Sequence, residues 1–272
     1  MVSSDDLKII VACHKECDYP TDPAYLPLHV GCAGKDPIGL QGDNTGDNIS
    51  IKNPVFCELT GLYWAWKNLK CDNLGIVHYR RYLTIMSSSY CKKHSLDDSV
   101  LSKRRACNIL KKHRLILPKR REYYIENLYS HYSHTFDGKH LKMTRKIIAS
   151  RHNEYLESFD MVMNSTSGYM FNMFIMRREL LDDYCSWLFD ILFRLEKKVD
   201  VSGLSDFQKR YAGRIAERLF NVWLLYNIRS LKIKTSDIFE TNWFYTGKVN
   251  KAKKIISFLG AKFFNKKYEE SF

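Results

Sequence analysis

The sequence has no Cys-x-x-Cys pair, although it carries eight cysteines; the nearest two, Cys13 and Cys17, are separated by three residues. Scattered thiols without paired spacing argue against a disulfide framework and against a zinc site, and they fit a reducing compartment. No apolar stretch reaches the roughly 18 residues of a membrane-spanning helix. The opening MVSSDDLKIIVACH has neither the basic start nor the long apolar centre of a secretory signal. Acidic residues are in short supply: 30 Asp and Glu stand against 43 Lys and Arg, a formal charge of +13. That surplus points to polyanionic partners, whether a nucleotide diphosphate, an anionic lipid surface or a nucleic acid. Tyr and Arg interleave as they do in nucleic-acid-binding modules, but no motif of that class is present and the basic residues are dispersed.

At 272 residues, 45% hydrophobic and 14% aromatic, the chain can bury a substantial core. The expected layout is one α/β domain over residues 1–247 and a basic amphipathic tail over 248–272. The stretch from Gly42 to Leu83 organises the rest. It opens on Gly42-Asp43-Asn44 and Gly46-Asp47-Asn48, two loops whose glycines allow close approach and whose Asp and Asn side chains bond neighbouring backbone or a ligand. The repeat has oxygen donors that suit a hard cation but lacks the ligand order of a calcium loop. A helix is expected from Pro54 to Leu69, burying Leu59, Leu62, Tyr63 and Trp66 at helical spacing. The apolar run Leu74-Gly75-Ile76-Val77 then reads as a buried strand that delivers His78-Tyr79-Arg80-Arg81 to its carboxyl end. In open α/β sheets, ligands bind at that edge.

The remaining elements follow the same pattern. Lys8 to Cys13 reads as a first strand with His14 and Lys15 at its exit, and Tyr19 to Asp43 as irregular. Ser99 to Arg121 is basic throughout and reads as a helix followed by a short strand. Tyr123 to Leu141 gathers Tyr124, Tyr129, His131, Tyr132 and His134 ahead of a turn at Asp137. His131, His134 and Asp137 lack the further ligand a metal site needs. Thr144 to Phe159 reads as an amphipathic helix, Gly168 to Met176 as a buried strand interrupted by Asn172, and Arg177 to Lys198 as a long helix. A second long helix, within Phe207 to Tyr226, carries Glu217 and Arg218. The tail sets seven lysines against two glutamates among Ile255, Ile256, Phe258, Leu259, Phe263 and Phe264, a pattern suited to an anionic membrane surface.

The segments HVGCAGK, GDNTGDNIS, KNPVFCELTGLYWAWKN, GIVHYRRYL and FNMFIMRRELLDDYCSWLFDIL resemble a bacterial family of capsular and exopolysaccharide glycosyltransferases, long catalogued only as a domain of unknown function. The resemblance implies a GT-A-like fold: a Rossmann-type mixed sheet flanked by helices, with a helical C-terminal portion. It implies transfer of a sugar, galactose being the family-level guess, from a UDP-sugar to a lipid-linked oligosaccharide in capsule, exopolysaccharide or O-antigen synthesis. Such an enzyme would work in the cytoplasm, peripherally at the inner face of the bacterial membrane. On that reading His14, Lys15, His29, Asp43, Asn44, Asp47, Asn48, His78, Tyr79 and Asn172 face the nucleotide sugar, while Trp64, His131, His134 and Arg218 face the acceptor. Metal-dependent GT-A enzymes carry Asp-x-Asp where this chain has His78-Tyr79-Arg80-Arg81, and no such triplet occurs here. Arg80 or Arg81 is therefore expected to take the leaving-group charge with no divalent metal or other cofactor. The base that deprotonates the acceptor is left open among Glu217, Asp137, Asp47 and Asp43, with Glu217 and Asp137 preferred. The competing readings are a nucleic-acid-binding module and a non-catalytic sugar- or lipid-binding scaffold.

Overall fold

The computed structural model describes residues 6–247. The expected tail over 248–272 lies outside them. Ten strands run in the order β1 (Leu7–Cys13), β2 (Tyr25–His29), β3 (Gln41–Gly42), β4 (Asn73–His78), β5 (Arg81–Thr84), β6 (Leu115–Pro118), β7 (Arg121–Glu122), β8 (Ser167–Gly168), β9 (Phe174–Arg177) and β10 (Ile238–Tyr245). Eleven α-helices accompany them: α1 (Asn53–Phe56), α2 (Leu59–Asn68), α3 (Ser88–Cys91), α4 (Leu96–Ser99), α5 (Lys103–Leu110), α6 (Leu128–Thr135), α7 (Lys139–Arg151), α8 (Leu156–Asn164), α9 (Arg178–Glu196), α10 (Asp206–Lys209) and α11 (Tyr211–Arg229).

The main sheet is mixed. β3, β2, β1 and β4 are parallel neighbours, β9 runs antiparallel to both β4 and β6, and β10 lies parallel to β6 and antiparallel to β5. A single antiparallel pair, His78 opposite Arg81, joins β5 back to β4 and closes a ring of five strands. The interior strands are covered on both faces, which is why they read as continuous apolar runs rather than alternating ones. Along β1, Ile10 and Ala12 pack with α2, α9 and α11, while Ile9, Val11 and Cys13 pack in the core of the opposite face. No helix among the described residues is long and apolar enough to cross a membrane. All eight cysteines are free, with the Cys13 and Cys17 sulfurs 3.4 Å apart.

Four elements depart from the sequence reading. Tyr19 to Asp43, expected to be irregular, contributes β2 and β3 to the main sheet, because Tyr25 and Leu28 are buried and the backbone pairs in parallel register with β1. The helix expected over Pro54 to Leu69 is two helices, broken at Cys57, whose φ of 53° no helix tolerates. Gly213 of α11 packs against the break: a Cβ there would stand 3.2 Å from the Cys57 Cβ and Sγ, so the bare backbone lets α11 approach without displacing Cys57. The strand expected over Gly168 to Met176 starts only at Phe174, because Phe171 and Asn172 turn the chain with φ of 77° and 51°. The helix expected over Thr144 to Phe159 is also two, α7 and α8, joined by a short 3-10 turn.

Candidate active site

The carboxyl ends of β1 and β4 gather a charged and aromatic cluster, the candidate cleft, built on strand register. His78 pairs with Arg81, and Arg81 with Tyr245, so three side chains from β4, β5 and β10 stand in a row on one face of the sheet. The intervening Tyr79 and Arg80 form the hairpin turn. Arg81 lays its guanidinium over Phe171 at 4.9 Å and over Tyr245 at 5.4 Å. Among the described residues it forms no side-chain hydrogen bond and no ion pair. Arg80 points to the other side of the row, over the Tyr79 ring at 4.9 Å, with Nη1 donating to Tyr245 Oη at 3.4 Å. Arg121 approaches the same Phe171 ring at 6.0 Å and stacks on Tyr123 at 4.8 Å.

Phe171 and Asn172 are the hub. The Phe171 carbonyl oxygen accepts His78 Nε2–H at 2.6 Å, which fixes the proton of a neutral imidazole on Nε2. Burial, with the Arg81 charge adding to it, pulls the His78 pKa below its ordinary value despite Glu58 nearby. Asn172 Nδ2 donates to Glu58 Oε1 at 2.7 Å and to the Gly213 carbonyl at 3.1 Å, while its Oδ1 is buried without a partner. Such an orphan acceptor is costly unless a ligand donor meets it. Burial works to raise the Glu58 pKa; the neighbouring His78 ring, the Asn172 amide and the Arg214 guanidinium outweigh it and hold the carboxyl below its usual range. Glu217, from α11, sits between Arg214 at 3.2 Å and Arg218 at 3.6 Å. The cleft therefore carries a cationic surplus around two carboxylates, fed further by Arg210, Lys35 and Lys15 beside His14.

Residues 8–228 match the family model DUF4422, a domain of unknown function. The chain belongs to the DUF4422 family. Every cleft residue named above except Tyr245 lies inside the DUF4422 match. The fold is similar to that of the apo structure of the WbbM bifunctional glycosyltransferase, with 30% sequence identity and a TM-score of 0.78 over 89% of this chain and 46% of that one. The chain thus spans about half the length of that protein. The sequence finds no match among curated proteins.

Not every residue expected at a site in this DUF4422 chain reaches the cleft. Asp43 is fully buried and its carboxylate is consumed by its own loop: Gly31 N–H donates at 2.8 Å, Cys32 N–H at 3.3 Å, and Ser50 Oγ closes a further bond. Asp47 is docked on α2 through Tyr63 Oη and Asn68, and Asn48 folds back to the Gly46 carbonyl. Asn44 beside them is exposed, and His29 is buried under the loop. Trp64 is buried and donates to Thr45 Oγ1 at 3.0 Å, so it holds the loop rather than presenting a face to an acceptor. Arg218 is buried too, its guanidinium spent on the Leu128 and Arg214 carbonyls and on His131 Nδ1. His131 packs tilted against Tyr123 at 4.2 Å; burial, with Arg218, Arg121 and Arg214, pulls its pKa down to about 2. His134 turns the other way, to Glu126 Oε1 at 2.7 Å. Asp137 accepts the Lys139 N–H at 2.8 Å in the turn that starts α7. His14, exposed at the cleft mouth, meets Tyr79 edge-on at 5.0 Å. Among the described residues no three His, Cys, Asp or Glu side chains converge to hold a metal ion.

Glu58, Arg121 and Arg214 are the cleft residues the sequence reading passed over. Glu58 looked like an ordinary helix carboxylate, because nothing in NPVFCELTG announces the break before it. Arg121 closed a long basic run whose members looked alike.

Proposed function

We propose that the chain is a glycosyltransferase that moves a sugar from a UDP-sugar to the hydroxyl of a lipid-linked oligosaccharide. The observation that carries the reading is the convergence of Arg81, Arg121 and Arg214 on one end of the sheet, beside Glu58, in a fold shared with a glycosyltransferase. In the transfer, the bond from the anomeric carbon to the β-phosphate oxygen breaks and its electron pair stays on the diphosphate. A bond from the acceptor oxygen to the anomeric carbon forms, and the hydroxyl proton leaves. Arg81 and Arg121, held over rings and without carboxylate partners, meet the diphosphate charge with a fixed fork of donors, and Arg214, spaced by Glu217, adds its charge beside them. That supply of charge is the argument for a metal-independent reaction.

Glu58 is the base this geometry favours. Its carboxyl stays ionised at neutral pH and is oriented by Asn172, whereas Glu217 is engaged by two arginines and Asp137 by a backbone turn. On this reading the unpaired Asn172 Oδ1 accepts a donor-sugar hydroxyl once the bound donor opens the turn that buries it. Galactose, as pyranose or furanose, remains the family-level proposal for the sugar, with capsule, exopolysaccharide or O-antigen as the product and the cytoplasmic membrane face as the place of work. Calorimetric titration with UDP and a panel of UDP-sugars, with manganese and with EDTA, tests the reading. Binding and turnover in EDTA are expected. Strict manganese dependence refutes the arginine mechanism, and absence of nucleotide binding refutes the enzyme.

A further inference from the structure

A second concavity lies on the far side of Tyr245 from the cleft. It has a volume of about 770 Å³ and is enclosed by α3, α4 and the end of β10. Its walls combine Trp243 and Tyr245 with Ser88, His94, Ser95 and Ser99, and Lys92 stands exposed at its rim. Two of these residues belong to both spaces. Tyr245 receives Arg80 Nη1 at 3.4 Å and carries Arg81 over its ring, and Trp243 meets Phe171 edge-on at 4.9 Å. The Ser99 hydroxyl is buried and has no hydrogen-bond partner among the described residues.

We propose that this cavity is a saccharide subsite, which holds the acceptor oligosaccharide beyond the sugar whose hydroxyl reacts in the cleft. The proposal rests on the glycosyltransferase reading above and adds to it where the acceptor lies. A hexose presents CH-rich faces that stack on rings and hydroxyls that both donate and accept, which matches this mixture of indole, phenol and serine. Other occupants fit less well. A nucleoside diphosphate would face one lysine here while the guanidinium groups stand across Tyr245. A lipid chain would find no continuous apolar lining beside Ser88, Lys92 and Ser95. The volume falls within the range of roughly 300–1,000 Å³ usual for small-molecule sites.

The test uses the full chain on a printed array of synthetic di- to hexasaccharides, alongside Ser88→Trp and Trp243→Ala. Ser88 is exposed on α3, so the first change fills the cavity without touching the core. Wild type is expected to retain a subset of the saccharides, and both variants to lose them by about tenfold, a 1.4 kcal/mol loss. UDP affinity of Ser88→Trp should stay at the wild-type value. A silent array overturns the proposal, whether because the cavity binds nothing or because residues 248–272 of the same chain fill it; so does retention unchanged in both variants. If saccharides are held in a Ser88- and Trp243-dependent way while UDP does not bind, the subsite stands and the glycosyltransferase reading falls.

Discussion

Asn172 Nδ2 lies 2.7 Å from Glu58 Oε1 and 3.1 Å from the Gly213 carbonyl, so one amide ties the turn before β9 to α2 and α11. Asn172→Gly keeps the positive φ that the turn demands and removes only the amide. The variant should be less stable by about 1–3 kcal/mol, the usual cost of deleting a buried hydrogen-bonding partner. It should also lose transfer activity by more than its folded fraction explains, since Glu58 is no longer oriented. Thermal denaturation by circular dichroism and a transfer assay on the folded protein separate the two effects. Wild-type turnover would remove Asn172 from the site.

Arg80 and Arg81 are adjacent in sequence but answer to different neighbours. Arg81 stands in the His78–Arg81–Tyr245 row, near Arg214 and Glu217, and Arg80 is held by Tyr79 and Tyr245 at the turn. Arg81→Ala should weaken UDP binding by about 10- to 100-fold, the range for losing a charged hydrogen bond. Arg81→Lys should restore only part of it, because a point charge cannot reproduce a planar fork. Arg80→Ala should cost less. Calorimetry on the three variants decides, and a larger loss for Arg80 than for Arg81 reverses the assignment.

The sequence disclosed the parts whose pattern is set locally. β1, β4 and α9 fall within a residue or two of their expected places, because unbroken apolar runs and a sustained helical period admit few alternatives. The breaks at Cys57 and at Phe171-Asn172 were illegible. Neither contains glycine or proline, and both left-handed conformations are enforced by tertiary contacts, with Gly213 at one and with His78 and Glu58 around the other. Those two breaks aim Glu58 and Asn172 at the cleft, so the strained positions and the functional candidates coincide. The Gly-Asp-Asn loop misled for the opposite reason. Its hydrogen-bonding capacity was read correctly, but Asp43 and Asp47 spend it on their own fold.

Four histidines make stability depend on pH. His131 is held to about 2, and His14, His29 and His78 lie below their ordinary value, burial being the first cause for each. Around His131 stand Arg218, Arg121 and Arg214, all opposing a second positive charge. The unfolded chain takes up these protons below about pH 6.5 while the folded chain refuses them, so stability falls as pH falls. Each histidine contributes at most about 1.4 kcal/mol per pH unit in that range. Glu58, with its depressed value, adds its loss only at lower pH, as the carboxyl protonates in the folded state. Melting temperature should drop between about pH 7.5 and 5.5, and His131→Asn should flatten the slope while leaving Arg218 an amide oxygen to bond. A slope unchanged by that substitution would show that His131 is charged in the folded protein.

Glu58→Gln and Glu217→Gln distinguish a base from a brace. Glu58→Gln keeps an acceptor oxygen for Asn172 but cannot take a proton, so kcat should fall by about 10²–10⁴ with UDP affinity retained. Glu217→Gln weakens the ion pairs that space Arg214 and Arg218, so its main effects should be on stability and on UDP affinity. The split between kcat and UDP affinity in the two variants is the measurement. Equal kcat losses with intact binding would return Glu217 to the catalytic role.

Asp43 supplies the last test, because its burial and its motif point in opposite directions. Asp43→Asn replaces a carboxylate that accepts from Gly31 N–H on Oδ2 and from the Cys32 N–H, the Cys32 thiol and the Ser50 hydroxyl on Oδ1 with an amide whose NH2 faces either the Gly31 N–H or the Cys32 and Ser50 donors. A donor turned against donors leaves buried groups unpaired, at a cost of about 1–3 kcal/mol each. The variant should therefore melt well below wild type, while the fraction that remains folded binds UDP-sugar with unchanged affinity. Denaturant titration read against calorimetry on the native fraction gives both quantities. Loss of donor affinity at wild-type stability would place Asp43 in contact with the ligand.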